Sequence, residues 1–432
     1  MRAQHWPTHL VALLIAVAHL VTAQAGSPLR LAPSDLVDPA AFQVTVFADR
    51  LFFPMGLAPL PGDALLAGVS IPAGGSFFAS TGALIRLVDR DRDGIADGPG
   101  VPLAEGIGGT IVAIARSGRL VFVTSAAIDQ EQIMVFRRGR SWAEPLTFAG
   151  AITFAFPGFL HRTYGLAARP VPGQPNRHEV IFNIGAAGND AGGGVAQASG
   201  LVEAELPDSS LYRVIIADTG TELRASELEQ IATGLRNASA IVFTPSGDLL
   251  FLDNGIDTPG NELVALSADE LNRIPAAEIG GTVEDFGFPH AYIDYRSGVP
   301  AGEGGRPPEI AFVPVRGSES EGASSLALAP PGFPKGLSSG VFVGFHGQWD
   351  LTGLANEENP VVYADPAQHT IVPFVANDDP IAGHIDSLVS TDTTLYLADL
   401  CGGPQGSLSM AEPCGTIYAI RVVQHDQRDL AR

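Results

Sequence analysis

Gly234-Leu-Arg-Asn-Ala-Ser-Ala-Ile-Val-Phe-Thr-Pro-Ser-Gly-Asp-Leu-Leu-Phe-Leu-Asp-Asn-Gly255 holds an apolar run, a Pro-Ser-Gly-Asp turn and a second apolar run. Pro and Gly supply turn dihedrals and the flanks bury, so the stretch predicts a β-hairpin. The same pattern recurs along the chain. It appears as Pro54-Met-Gly-Leu-Ala-Pro-Leu-Pro-Gly-Asp-Ala-Leu-Leu-Ala and as Gly109-Thr-Ile-Val-Ala-Ile-Ala-Arg-Ser-Gly-Arg-Leu-Val-Phe-Val. Further copies begin at Tyr164, Ser324 and Ile385, the copy quoted first being aligned at Ala238. The six starting points lie roughly 55 to 86 residues apart, too far for a solenoid and right for four-stranded blades with insertions. The expected fold is all-β: a six-bladed β-propeller with loop insertions, preceded by a cleaved signal peptide.

Working outward to the termini, Arg2 and two His precede the apolar run Leu10–Val21, and Ala23-Gln-Ala25 has the form of a cleavage site. About 12 apolar residues fall short of the roughly 20 that a membrane span needs. The organisation expected is a signal peptide over 1–25, a lead-in over 26–40, a propeller over 41–424 and a polar tail over 425–432, in a secreted or periplasmic protein with no membrane span after cleavage. Phe42-Gln-Val-Thr-Val-Phe47 alternates as a strand and is expected to close the ring by pairing beside Gly415–Val423. Third strands are expected at Gln132–Phe136, Ser210–Ile215 and Asn261–Leu266. Short helical turns are expected at Ser226–Ile231 and Ser267–Asn272. Two insertions, Gly185–Gly200 and Ala276–Gly322, are candidate binding loops.

Gly and Pro number 50 and 33 of 432 residues, yet 46% are hydrophobic, which describes a turn-rich folded chain. A formal net charge of −22 argues against nucleic acid or an anionic membrane as partner. The only cysteines, Cys401 and Cys414, flank a Gly/Pro/Ser-rich segment and read as a disulfide closing a loop.

Propeller symmetry singles out the residues just before each hairpin, which should gather at one end of the central axis. They include His161-Arg-Thr, Arg236-Asn237, Glu319-Ser-Glu321 and Gly383-His384, a composition suited to an active site. Separately, Asp89, Asp91, Asp93 and Asp97 occupy positions 1, 3, 5 and 9 of a calcium-loop spacing, with Gly94 at the turn. Gly100 stands where the bidentate Glu of a complete EF-hand would be, so a structural Ca²⁺ of modest affinity is expected there.

Four segments resemble the glucose/sorbosone dehydrogenase family, six-bladed propellers that use pyrroloquinoline quinone (PQQ). They are Arg86–Asp97; His161-Arg-Thr-Tyr-Gly-Leu-Ala with Phe182-Asn-Ile-Gly185; Gly234-Leu-Arg-Asn through Asp253-Asn-Gly255 with Phe286-Gly-Phe-Pro289; and Phe342-Val-Gly-Phe-His-Gly-Gln-Trp349. The resemblance implies an exported oxidoreductase acting on a sugar or related alcohol or aldehyde. It implies His161 as the base that takes the hydroxyl proton while hydride passes to the quinone. It also implies Arg236, Asn237 and His384 as cofactor contacts, and the carbonyls of Gly255 and Ile256 as ligands of a cofactor-linked Ca²⁺. The chain departs from the family at Ala186, where glucose-oxidising members have an Asp. It departs again at Leu400-Cys401, where they have a Lys, and at His384, where sorbosone-like members have an Arg. Two other readings stay open: a non-catalytic ligand- or partner-binding propeller, and a Ca²⁺-dependent lactonase or esterase. The second needs several ligands converging on the channel, and the positions before the hairpins supply only Glu319 and Glu321.

Overall fold

The computed structural model describes residues 27, 29–73, 76–127, 130–314, 322–347, 360–377, 382–400 and 412–423. The signal-peptide segment 1–25, the tail 425–432, Glu319, Glu321 and Cys401, and with it the expected disulfide, lie outside the described residues.

Each recurring hairpin becomes the inner pair of strands of a blade. Blade 1 holds Met55–Leu60, Ala64–Ala73, Ser76–Val88 and Val101–Gly108. Blade 2 starts at Thr110–Ser117, blade 3 at Leu166–Val171, blade 4 at Ala240–Phe243, blade 5 at Ala323–Leu328 and blade 6 at Ile385–Ser390. Each inner strand packs on those of its two neighbours, blade 6 against blade 1 included, so the six sheets form a ring. The ring is closed by pairing. Phe42–Leu51 runs antiparallel to Gly415–Val422, with Val44 opposite Ile420, as the alternation of Phe42–Phe47 leads one to expect. This pairing leaves blade 6 with no strand of its own missing and removes a long unpaired edge.

The core lies between blades. Phe154 of blade 2 and Tyr212 of blade 3 sandwich Phe182, with ring centroids 5.5 and 5.7 Å away, and Phe182 is fully buried. Burying a side chain of that size contributes about 1.5–3 kcal/mol.

Several local expectations are overturned. Ser226–Ile231 and Ser267–Asn272 are not helical turns: the first lies in the strand Leu223–Thr233 and the second runs into Asp269–Ile274. Capping residues were present, but cross-strand partners offered more; Tyr212 sits opposite Gln230 and Leu252 opposite Leu271. The third strand of blade 4 is therefore Asp269–Ile274. Asn261–Ala265 forms instead a two-stranded ribbon with Asp257–Thr258. The insertion after Gly185 is partly regular: Val195–Gly200 adds to the outer edge of blade 2 and carries Ala204–Pro207 beyond it. Leu29–Leu31 of the lead-in pairs with the outer strand of blade 5. Among the described residues no helix is long and apolar enough to cross a membrane.

Candidate functional site

The chain must cross the axis just before each inner strand, and there its backbone N–H groups have no ladder partner. A polar residue near the end of the second strand captures them. In blade 3, Asn183 Oδ1 accepts from the N–H groups of Tyr164 and Gly165, both at 2.8 Å. In blade 4, Asp253 accepts from Arg236 (3.1 Å) and Asn237 (2.7 Å). In blade 6, Asp399 accepts from Gly383 (2.8 Å) and His384 (3.2 Å). Asp269, on the third strand of blade 4, holds Gly255 and Ala323, each at 2.7 Å. These buried carboxyls pay a desolvation cost that partly outweighs their hydrogen bonds, and burial pushes Asp253 up to about 7. Sequence reasoning passed over them, although the signal is there: apolar runs that end in Asn183, Asp253 and Asp399.

The segments so held enclose an axial cavity of about 340 Å³. Of the predicted residues, His161, Arg236, Asn237 and Gly255 line it together. Apolar wall comes from Met55, Val112 and Leu160, and polar wall from Asn189, Asn254, Asp257, His346 and Asp386, none of which was singled out as a site residue.

Arg236 is buried and already engaged. Its Nη2 donates to Asp257 Oδ2 (2.6 Å) and Asn189 Oδ1 (2.8 Å), and its Nε donates to the Asn189 carbonyl (3.0 Å). Only Nη1 makes no hydrogen bond. Asn237 donates through Nδ2 to Asn254 Oδ1 at 2.9 Å. His161 is tied by its backbone, its N–H donating to the Ala186 carbonyl at 3.1 Å, while Ala186 N–H donates to the Arg236 carbonyl at 2.7 Å. Gly185 is obligatory here, since a Cβ on it would stand 2.7 Å from His161 Cβ. Nε2 of His161 is buried without a hydrogen-bond partner. Burial, reinforced by the Arg236 charge, depresses this imidazole to about 3, so it is neutral near pH 7. Ala186 is fully buried, and among the described residues no carboxylate hydrogen-bonds to His161.

Two predicted contacts lie elsewhere. His384 is buried behind the wall, its Nδ1–H donating to the His346 carbonyl at 2.6 Å. The Ile256 carbonyl is off the cavity lining and accepts two N–H groups, from Leu266 (2.8 Å) and Ser267 (3.1 Å). Its geometry serves a turn, because both lone pairs are spent.

The acidic loop is on the outside of the ring. Asp89, Asp91 and Asp93 bring carboxylate oxygens within 4.8 Å of one another. Asp97, the fourth expected donor, accepts instead from Arg90, from its N–H at 2.8 Å and its Nη1 at 3.2 Å.

No family model matches the chain, and no curated protein matches it. Solved structures do. The chain is similar to a carbohydrate-active enzyme of family AA12 from Trichoderma reesei, at 14% identity and TM-score 0.55, covering 93% of this chain and 100% of that one. It is also similar to the PQQ-bound form of aldose sugar dehydrogenase from Streptomyces coelicolor (16%, TM-score 0.54, 90% and 100% covered). A third is the holo PQQ domain of pyranose dehydrogenase from Coprinopsis cinerea (14%, TM-score 0.53, 92% and 98% covered). What the chain shares with these proteins is the six-bladed propeller fold over nearly its whole length.

Proposed function

We propose that the chain is an exported oxidoreductase that oxidises a sugar or related alcohol or aldehyde, with PQQ as oxidant and Ca²⁺ as its counter-ion. One observation carries the reading. Four residues, His161 from one blade and Arg236, Asn237 and Gly255 from the two ends of the Gly234–Gly255 hairpin, line one axial cavity, and the structural neighbours include PQQ-bound sugar dehydrogenases.

The lining fits such a cofactor with a condition. Arg236 Nη1 and the amides of Asn237 and Asn254 offer a place for an acidic, planar group. Arg236 is the only Arg or Lys on the described lining, however, and it faces Asp257, while Asp269 and Asp386 add further negative charge. A tricarboxylate therefore needs a cation beside it, and Gly255 is the remaining candidate for a backbone ligand. Bound there, the quinone would supply a two-electron acceptor. The chain's own residues do the rest. The carboxylates and the histidines accept hydrogen bonds from sugar hydroxyls, Met55, Val112 and Leu160 exclude water, and a cavity histidine takes the hydroxyl proton, the place the resemblance gives to His161. The hydrolase alternative loses ground, since the only group of three close His, Cys, Asp or Glu ligands among the described residues is Asp89–Asp91–Asp93, away from the cavity.

The test is a titration of the purified protein with PQQ, with and without Ca²⁺, followed spectroscopically and by dye reduction over a panel of sugars. Saturable binding that requires Ca²⁺, with turnover lost by about 100-fold or more in Arg236→Ala, is expected. Absence of binding at micromolar quinone would overturn the reading.

A further inference from the structure

The cavity has a second histidine, and it is better equipped than the first. His346 follows directly on the second strand of blade 5, Val341–Phe345, and Asp386 is the second residue of the inner strand of blade 6; the two line the cavity with side chains almost closed to water. His346 Nδ1 lies 2.8 Å from Asp386 Oδ2. A carboxylate on one ring nitrogen fixes the tautomer: Nδ1–H donates to Asp386, and Nε2 keeps the lone pair. The same carboxylate stabilises the imidazolium that forms when Nε2 takes up a proton, as in an Asp-His pair of any hydrolase triad. His161 has neither advantage. Among the described residues no carboxylate orients it, and burial together with the Arg236 charge opposes its protonation. Among the described residues, His384 also faces His346, its ring centroid 5.4 Å away and its Nδ1–H committed to the His346 carbonyl.

We infer that His346, oriented by Asp386, is the proton acceptor of this cavity, and that His161 serves as a neutral wall and binding residue. This rests on the oxidoreductase reading above and deepens it. In the step, the O–H bond of the reacting hydroxyl breaks and an N–H bond forms at His346 Nε2. With a quinone-class oxidant bound, that oxidant would accept the hydride with both C–H electrons, leaving the carbinol carbon as a carbonyl.

Two measurements separate the parts. The first needs no cofactor: ring ¹⁵N and ¹H shifts of His346 in the purified protein, followed over pH, in wild type and Asp386→Asn. The expected result is the Nδ1–H tautomer in wild type, with that preference lost in Asp386→Asn. An Nε2–H tautomer, or a tautomer population unchanged in Asp386→Asn, would overturn the inference whether or not any sugar is oxidised. The second compares His346→Gln, Asp386→Asn and His161→Gln in the loaded enzyme. His346→Gln should cost about 100-fold or more in kcat with KM little changed, and Asp386→Asn should cost about 10-fold or more in kcat. His161→Gln should act mainly on KM. A larger kcat loss in His161→Gln than in His346→Gln would return the role to His161. Urea unfolding of each variant identifies a loss due to misfolding, and if His346→Gln misfolds, Asp386→Asn decides by its tautomer population and kcat. A wild-type protein that oxidises nothing would count against the oxidoreductase reading, with the tautomer still deciding the Asp-His pair.

Discussion

The axial cavity and the Asp89–Asp97 loop are both rich in polar side chains, yet they spend those side chains in opposite ways. In the loop, carboxylates serve the backbone of the loop itself. Asp89 accepts the N–H groups of Asp93 (3.1 Å) and Gly94 (2.9 Å), and Asp93 accepts that of Ile95 (2.8 Å). Its outer face is fastened to blade 6 by Arg421 Nη1 on the Arg92 carbonyl (2.6 Å) and Thr45 Oγ1 on the Gly94 carbonyl (2.7 Å). The loop is thus a clasp across the seam where the ring closes. In the cavity, Asn183, Asp253 and Asp399 behind the wall, with Asp269 in it, do the backbone's work, so that other wall residues keep atoms to spare, among them Arg236 Nη1 and Nε2 of His161. A cluster of acids in the sequence marks neither use; what distinguishes them is whether the lone pairs are already taken.

The sharpest way to break this comparison is to remove a supporting carboxyl. Asp253→Ala strands the N–H groups of Arg236 and Asn237, and should cost about 2–4 kcal/mol in urea unfolding. A loss below about 1 kcal/mol would mean that the cavity wall is held by other means.

Next in size is the pH dependence of stability. Burial raises Asp253 from 3.8 to about 7, and Glu131 and Glu270 from 4.5 to about 8. The folded protein then holds protons that the unfolded chain has released, so the stability these groups contribute is full below about pH 4 and is lost as pH rises to about 8. His161, depressed to about 3, works the other way, but its effect is complete once pH exceeds the ordinary histidine value of 6.5. Between pH 7 and 8 the carboxyls act without that opposition. The free energy of unfolding should fall across this interval, by up to about 1.4 kcal/mol per pH unit for each titrating group, and the thermal midpoint should fall with it. Glu131→Gln should flatten the fall, and an unchanged slope in that variant would refute its assignment.

The smallest expected effect belongs to the loop. Asp91 is exposed and its carboxylate supports only the Asp93 N–H, at 3.4 Å, so Asp91→Ala should change stability by no more than about 0.5 kcal/mol in chelator. If the loop takes up Ca²⁺, as its spacing led us to propose, millimolar Ca²⁺ should raise the wild-type midpoint by about 1–2 °C and leave Asp91→Ala unmoved. Equal shifts in both would assign the loop to clasping alone.

The six inner strands were legible in the sequence because alternation and Gly/Pro turns are local properties, read within a dozen residues. The hairpins beginning near Pro54, Gly109, Tyr164, Ala238, Ser324 and Ile385 each became one, and Phe42–Phe47 found its partner because a ring without it would expose an edge. The gathering of His161, Arg236 and Asn237 was legible for the same reason, through the symmetry of the repeats. Ser226–Ile231 was misread because a capping pattern is local evidence, whereas the ladder to Ser210–Asp218 is not. The pairing of His346 with Asp386, 40 residues apart and on different blades, has no sequence periodicity at all. Nor does any pattern foretell that both lone pairs of the Ile256 carbonyl are spent on N–H groups, or that Asp97 turns to Arg90. Strand and turn follow from neighbours along the chain, while the state of a polar atom depends on which groups converge on it in space, and that is decided only when the ring closes.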